Sequence, residues 1–186
     1  MSGDEVEGLL LARLRRATRP IHDRLDALGS PATIDAYGDF LAGMFAGHAA
    51  VAPLLKPEHD AVVDRLAADL RDLGRDGPEP SPPPDVTAGL PGVRYVVLGS
   101  RFGAAAMLPT VRDRLPNAPT RFLKGDPQDA TTWRSFKASL AEVPVAHHPA
   151  AERAAVATFK IFERALARAM RSGDADPKCQ DSRGHA

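Results

Sequence analysis

Cysteine and long apolar runs are both scarce in this chain. Its 186 residues include one cysteine, Cys179, which excludes an intrachain disulfide and a cysteine-based metal cluster. A single thiol fits a reducing cytoplasm, which is the predicted location. The N-terminal stretch carries acids where a signal peptide needs bases, and no run approaches the roughly 18 apolar residues of a membrane span. We therefore predict a protein that has no membrane partner.

The chain also lacks a net charge, because its 24 basic side chains balance 24 acidic ones. An overall attraction to nucleic acid or to an anionic membrane surface is therefore excluded, and neither is predicted as a partner. Aromatic residues make up only 5% of the sequence and β-branched runs are short, whereas alanine and leucine are abundant. This composition favours helices over strands.

Apolar residues recur at three- and four-residue steps in several segments, which is the pattern of amphipathic helices. The chain length suits one domain with a substantial core. We predict an all-α, single-domain helical bundle over residues 1–172 and a polar, disordered tail over 173–186. The predicted helices cover residues 4–28, 33–55, 59–74, 87–114, 133–143 and 149–170, with a short helix or turn within 117–126.

Three stretches complicate this helical pattern. Pro20 lies inside the first helix and predicts a bend, because proline removes one backbone hydrogen bond. The proline-rich stretch 75–86 predicts an extended connection between helices, with a domain linker as the alternative. The letters VRYVV (93–97) would suit a buried strand, but the small residues that follow them favour a helix.

The first candidate for chemistry is His22, which lies in the basic segment LRRATRPIHDRL. Imidazole is a common ligand of iron and zinc, although a lone histidine on a helix is more often structural. Arg15 precedes His22 by seven residues, which is two turns along the same helix face, and an arginine can bind a carboxylate. From these residues alone, a solvated basic face remains the better interpretation.

The second candidate is the glycine pair Gly99 and Gly103 in the stretch LGSRFGAAAM. A spacing of four places both on one helix face, and each glycine inside a helix costs about 1 kcal/mol relative to alanine. Close packing of another helix is the default explanation for such a pair. Close approach of a flat ligand to the backbone is the alternative, and Ser100 adds a hydroxyl beside it.

The other histidines of the helical region rank lower as candidates. His48 lies on a very apolar helix, which predicts a core residue with a hydrogen-bond partner. His59 is predicted near a helix start. His147 and His148 precede a proline, and we expect local capping or a solvated turn there.

Four stretches occur in a fixed order between about residues 9 and 170: LRRATRPIHDRLD, YGDFLAGMFAGHAAVAPLL, YVVLGSRFGAAAM and WRSFKASL. Their order and spacing resemble the bacterial branch of the biliverdin-producing haem oxygenases, including those paired with bacterial phytochromes. The resemblance implies haem as both cofactor and substrate, cleaved with dioxygen and electrons to biliverdin, carbon monoxide and ferrous iron. It also implies an external electron donor, either a ferredoxin or a reductase. A bacterial phytochrome becomes a candidate acceptor of the biliverdin.

The resemblance also implies roles for individual residues. His22 matches the proximal ligand of the haem iron, and Arg15 matches a basic residue that reaches a haem propionate. Gly99 and Gly103 match the glycines of the distal helix, which let haem and dioxygen lie against the backbone. Ser100, between them, is the third residue that we place in the catalytic region.

A second propionate contact is implied where a basic residue follows the aromatic that opens a later helix. With Trp133 as that aromatic, the basic residue is Arg134, and Lys137 is the alternative. Two positions lack an acid that other members carry. Leu98 stands where many bacterial members have an acid, and Ser100, as in several bacterial members, stands where mammalian-type members have an aspartate. These departures leave open a non-catalytic haem carrier or sensor on the same fold. A helical scaffold or a related all-α enzyme without haem is a weaker alternative.

Overall fold

The computed structural model describes residues 3–55, 59–86 and 89–173. Helix accounts for 78% of the protein, and the described ranges contain no strand, which confirms the predicted all-α class. Two short 3-10 turns lie at Leu140–Glu142 and Val145–His147. The α-helices of the described ranges are α1 (Gly3–Asp26), α2 (Ile34–Leu55), α3 (Asp60–Asp72), α4 (Leu90–Arg114), α5 (Arg121–Lys124), α6 (Asp129–Ser139) and α7 (His148–Gly173).

The long helix α7 lies at the centre of the fold and packs against α1, α2 and α4. Its contact with α2 is the most extensive of these, and two glycines of α2 make it close. A methyl group added at Gly43 would lie 2.7 Å from the Cα of Leu166. A methyl group at Gly47 would lie 2.7 Å from the Cε1 atom of the Phe162 ring. Both glycines therefore serve helix packing, since any side chain would push α7 away.

Helix α2 is apolar around most of its circumference, and its residues are buried on several sides, as the sequence predicts for a central helix. By length and composition alone, this helix is long and apolar enough to cross a membrane. That finding corrects the expectation that no segment approaches a membrane span. Within the segment, 61% of residues are buried inside the protein, as in the core helix of a packed bundle. The absence of a membrane partner and the cytoplasmic location stay predictions.

Most helix ends follow the local signals in the sequence. Gly29 and Gly74 follow α1 and α3 with φ of +70° and +67°, a left-handed conformation that glycine adopts without steric cost. The Thr33 hydroxyl accepts a hydrogen bond from the amide of Ala36 at 3.1 Å and so begins α2. Helix α1 continues through Pro20, whose ring is exposed.

The stretch 75–86 forms neither helix nor strand, as predicted for an extended connection. It is fastened to α2 by Arg75, whose guanidinium lies 2.6 Å from a carboxylate oxygen of Asp39 and 3.3 Å from one of Asp35. Gly77 lies against the ring of Phe45, where a Cβ would be 2.7 Å from the ring atom Cζ. The connection therefore covers one side of α2.

Several predicted boundaries differ from the structure, most clearly those of α6 and α7. Helix α6 begins at Asp129, before the predicted start at residue 133, and ends at Ser139. The reason is a turn in which Asp129 accepts the Asp126 amide at 2.8 Å, while Asp126 accepts the Gln128 amide at 2.8 Å. Helix α7 extends to Gly173. The remainder of the predicted tail, 174–186 with Cys179, lies outside the described residues.

The VRYVV letters lie inside α4, so the helical alternative is correct and the strand alternative is wrong. The short helix expected within 117–126 is α5. The carboxylate of buried Asp69 holds it in place, accepting the amides of Arg121 and Phe122 at 3.1 and 2.9 Å. These bonds satisfy amide groups that a helix leaves unpaired in its first turn.

Candidate functional site

His22 lies near the C-terminal end of α1 with its side chain 56% exposed. Its Nδ1 is 2.9 Å from a carboxylate oxygen of Asp26, one turn further along the helix. The edge of its ring meets Phe159 of α7, with the ring centroids 6.1 Å apart. A carboxylate that holds one imidazole nitrogen fixes the ring and leaves the other nitrogen, here Nε2, for a metal.

Arg15 lies on the exposed side of α1, two turns before His22. Its neighbours on the helix are engaged with α7, because Arg13 pairs with Glu152 and Arg24 pairs with Glu163. Arg15 itself forms no ion pair with any residue that the structure describes. The α1–α7 contact therefore does not use Arg15, and its guanidinium is accessible to an acidic ligand.

Gly99 and Gly103 face open space. A Cβ added at either position would meet nothing within 4 Å. Gly92, seven residues before Gly99 on the same side of α4, has the opposite surroundings. A Cβ there would overlap the carbonyl oxygen of Ala151 and lie 2.8 Å from the amide nitrogen of Ala155. The default explanation of the 99/103 pair, close packing of another helix, is therefore wrong, whereas it is correct for Gly92.

One stripe of α7 connects the two candidate regions. Ala155 meets α4 at Gly92, and Phe159, one turn later on α7, meets His22 of α1. Helices α1 and α4 both pack on α7 but scarcely touch each other across the described residues. His22 and Gly92, where α4 crosses α7, therefore contact α7 at positions that are one helical turn apart. The structure shows no direct contact between His22 and the glycine pair.

Ser100, His48 and His59 form a row of polar side chains that leads away from the glycine face. The Ser100 hydroxyl donates to the carbonyl of Val97 at 2.8 Å and lies 3.4 Å from Nε2 of His48. Nδ1 of His48 lies 2.9 Å from Nε2 of His59. Both rings are almost completely buried. The predictions of a partnered core residue at His48 and of a helix start beside His59 are confirmed.

The pairing of His48 with His59 escaped the sequence reasoning. Burial, together with the nearby charges of Arg101 and Arg65, lowers the pKa of His59 to about 4. Burial also lowers the pKa of His48 well below its ordinary value, with His59 and the same two arginines as further causes. Both rings are therefore neutral at pH 7, so one donates and the other accepts in the bond between them.

The remaining predicted residues lie on or near α6. Trp133 packs between Tyr95 and Phe102 of α4, with centroid distances of 6.1 and 5.8 Å. Because α6 begins at Asp129, Trp133 lies within the helix and does not open it, which corrects the basis of the Arg134 alignment. Arg134 is exposed and Lys137 is half-buried, and neither forms an ion pair with a described residue.

The two adjacent histidines at the start of α7 have local roles. His148 is buried, and its Nε2 lies 3.1 Å from the carbonyl oxygen of Val143. His147 is exposed in the preceding 3-10 turn. This arrangement agrees with the expected capping and turn. The described part of the chain holds no cluster of three histidine, cysteine or acidic side chains that could bind a metal ion.

The surface of the described residues includes two sizeable clefts. One, of about 890 Å³, lies between α2, the 75–86 connection and α7, and carries Asp39, Arg75 and Arg164 among its walls. The other, of about 700 Å³, lies between α3, α4 and α6. Neither is lined by His22, Gly99 or Gly103. The candidate haem residues therefore lie on open surfaces of α1 and α4 and outside both clefts.

The sequence matches no protein-family model, and no curated protein matches it. The haem oxygenase resemblance thus depends on the four quoted stretches and on their order in the chain.

Proposed function

We propose that this protein binds haem and cleaves it with dioxygen and electrons to biliverdin, carbon monoxide and ferrous iron. The observation that carries this proposal is the open space at Gly99 and Gly103. Two glycines inside one helix cost about 1 kcal/mol each relative to alanine. Because no helix packs against them in the described fold, their open face supports the close approach of a flat ligand to the backbone.

Several side chains carry the kinds of group that such a ligand would need. Nε2 of His22 would bind the iron, with Nδ1 held by Asp26. Arg15 would bind a propionate, and Arg134 or Lys137 would bind the other. When bound, haem supplies the iron that reduces dioxygen and the ring that is oxidised. The electrons come from a separate ferredoxin or reductase, and a bacterial phytochrome is the proposed acceptor of biliverdin.

The chain's own contribution is positioning and proton supply. The bare backbone at Gly99 and Gly103 leaves room for haem and dioxygen beside α4. The hydroxyl of Ser100 is held by Val97 and lies near His48, so its orientation is fixed before any ligand binds. Because the Ser100 hydroxyl donates to Val97 and leads away from the glycine face, we propose that proton delivery to that face depends on water.

One experiment separates the proposed function from its alternatives. Hemin is titrated into the purified protein while the Soret band is recorded, and then a reductant and air are supplied. Release of biliverdin supports the haem oxygenase. A stable complex without product supports the non-catalytic carrier or sensor, which Leu98 and Ser100 favour. Absence of a complex supports the scaffold or an unrelated all-α enzyme.

His22→Ala tests the iron ligand directly. Because the His22 side chain is 56% exposed, its removal should leave the fold intact while the imidazole-bound spectrum and nearly all turnover are lost. Added imidazole should partly restore the spectrum. His147→Ala, which removes another exposed histidine, is the matched control and should behave as the wild type does. An unchanged haem spectrum in His22→Ala would show that another group binds the iron.

A further inference from the structure

The cleft between α3, α4 and α6 is distinct from the proposed haem site. Its volume is about 700 Å³. Part of its lining is apolar, with Val62, Val97 and Phe136, and part is hydroxyl-bearing, with Thr132 and Ser135. A concave surface with an apolar floor and a few converging polar groups is the usual form of a small-molecule site.

Arginines dominate the charge of this cleft. Arg65 of α3 and both Arg94 and Arg101 of α4 contribute to its lining. Arg101 pairs with Asp129 at 2.6 Å, and its side chain is only 12% exposed. The other carboxylate oxygen of Asp129 already accepts the amide of Asp126, so both oxygens of Asp129 are engaged.

Arg65 has no acidic partner among the described residues. Its Nε is buried and lacks a hydrogen-bond acceptor, and the same holds for the Nε of Arg101. A buried N–H without an acceptor destabilises the fold, and more so when the group is charged. The cleft therefore holds buried cationic donors that the protein itself leaves unsatisfied.

The neighbouring histidine supports a positive potential in this cleft. His59 also lines it, and the charges of Arg101 and Arg65 both help to lower its pKa. His59 is therefore neutral at pH 7 and adds no charge of its own. Asp126, another lining residue, accepts the amide of Gln128 at 2.8 Å with one carboxylate oxygen.

We propose that this cleft binds a small oxyanion, a phosphate or a carboxylate, between Arg65 and Arg101. The planar guanidinium group presents paired donors that match both kinds of oxyanion. The bound anion would accept from guanidinium N–H groups that face the cleft and would offset the repulsion between the two cations. The site is independent of the haem proposal, because the cleft contains none of the residues proposed to hold haem.

The test uses the full chain and three probes: inorganic phosphate, pyrophosphate and citrate. Thermal melting and calorimetric titration are compared with chloride at matched ionic strength. We expect at least one probe to raise the melting temperature above the chloride value. Stronger binding of pyrophosphate or phosphate would indicate a phosphoryl ligand, and stronger binding of citrate would indicate a carboxylate ligand.

Substitutions then locate the site. Arg65→Gln should weaken binding by about tenfold or more, the equivalent of one charge-assisted hydrogen bond. Arg71→Gln, which removes an exposed arginine of the same helix, should bind as the wild type does. Arg65→Lys keeps the charge but loses the planar fork, and should fall between them. It also serves in place of Arg65→Gln if that variant does not fold.

The melting temperatures of Arg65→Gln and the wild type without added anion test in a second way whether Arg65 serves a ligand or the fold. If Arg65 serves a ligand, Arg65→Gln should melt at or above the wild-type temperature without anion, because an unpaired charge with a buried Nε is gone. A clear loss of stability would indicate a structural role for Arg65 and would count against the site. The proposal is overturned if none of the three probes stabilises the wild type beyond chloride, or if Arg65→Gln binds them as tightly as Arg71→Gln does.

Discussion

Two glycine pairs with the same spacing of four have opposite surroundings in this protein. Gly43 and Gly47 of α2 lie directly beneath Leu166 and Phe162 of α7, with no room for a methyl group. Gly99 and Gly103 of α4 face open space. The spacing places each pair on one helix face, but it carries no information about what lies opposite. Two glycines spaced by four therefore do not by themselves show that another helix packs closely against them. The residues that lie opposite the pair must be known first.

The largest expected effect comes from the packed pair. Gly43→Ala would place a methyl group 2.7 Å from the Cα of Leu166, a backbone atom that cannot move without shifting α7. We expect a loss of about 3 kcal/mol in the free energy of unfolding, at the upper end of the usual overpacking range. Urea unfolding of the variant and the wild type measures it. If Gly43→Ala were as stable as the wild type, the packed pair would tolerate a methyl group just as the open pair is expected to.

The open pair should respond in the opposite way. Gly99→Ala and Gly103→Ala should fold as well as the wild type or gain up to about 1 kcal/mol, because alanine has the better helix propensity. The added methyl should nevertheless displace the reacting groups and lower biliverdin formation by about a hundredfold, which corresponds to about 2.7 kcal/mol.

Melting, Soret titration and product yield on the same samples make this test complete. Both variants should still bind haem, so the loss should appear in biliverdin formed per electron consumed. If the yield per folded, haem-bound molecule stays at the wild-type level, the glycines do not form the distal wall.

The packed region should also be the pH-sensitive one, because the buried His48–His59 pair adjoins Gly47. The pKa of His59 falls from 6.5 to about 4 on folding, so the unfolded chain binds more protons between these values. Stability is therefore complete above pH 6.5 and decreases as the pH falls toward 4. We expect a loss of about 2 kcal/mol from His59 between pH 7 and pH 5.

Urea unfolding at a series of pH values measures this loss. His59→Gln should flatten the dependence, whereas His147→Gln, at an exposed histidine, should not. Equal slopes in these two variants would mean that the buried pair does not control the acid response.

The smallest expected effects are at the exposed arginines proposed to hold the propionates. Arg15→Glu and Arg134→Glu should each weaken haem binding or change the mixture of biliverdin isomers. An exposed charge contact contributes only about 1 kcal/mol or less, so we expect an affinity change of about fivefold or less. Unchanged affinity and isomer ratio in both variants would place the propionates elsewhere on the protein.

Local signals predicted much of the fold. The all-α class and the ends at Gly29 and Gly74 follow from periodicity and from glycine's conformational range. The start of α6 was missed because the signal is a hydrogen-bonded turn through Asp126 and Asp129, which periodicity does not record. The Thr33 hydroxyl, in contrast, lies directly before its helix and is easily recognised.

The candidate sites were less accessible from the sequence, because they depend on what lies opposite each residue. Nothing near Gly99 indicates that α7 meets α4 at Gly92 but leaves Gly99 and Gly103 facing open space. The cleft between α3, α4 and α6 is lined by Arg65 and by residues of α4 and α6 that are far from it in the chain. One signal was present, however, since Arg94 and Arg101 are seven residues apart in an otherwise apolar stretch and so share a helix face. The roles at His22 and Arg15 stay predictions.

The central position of α7 has a consequence for synthesis on the ribosome. Helices α1, α2 and α4 are all made earlier, yet each completes its packing only against residues 148–173. Until that segment has emerged, the apolar faces of three long helices stay uncovered, and exposed surface of this kind favours aggregation. We therefore expect folding to be completed late during synthesis, and nascent chains that stop before α7 to depend heavily on chaperones.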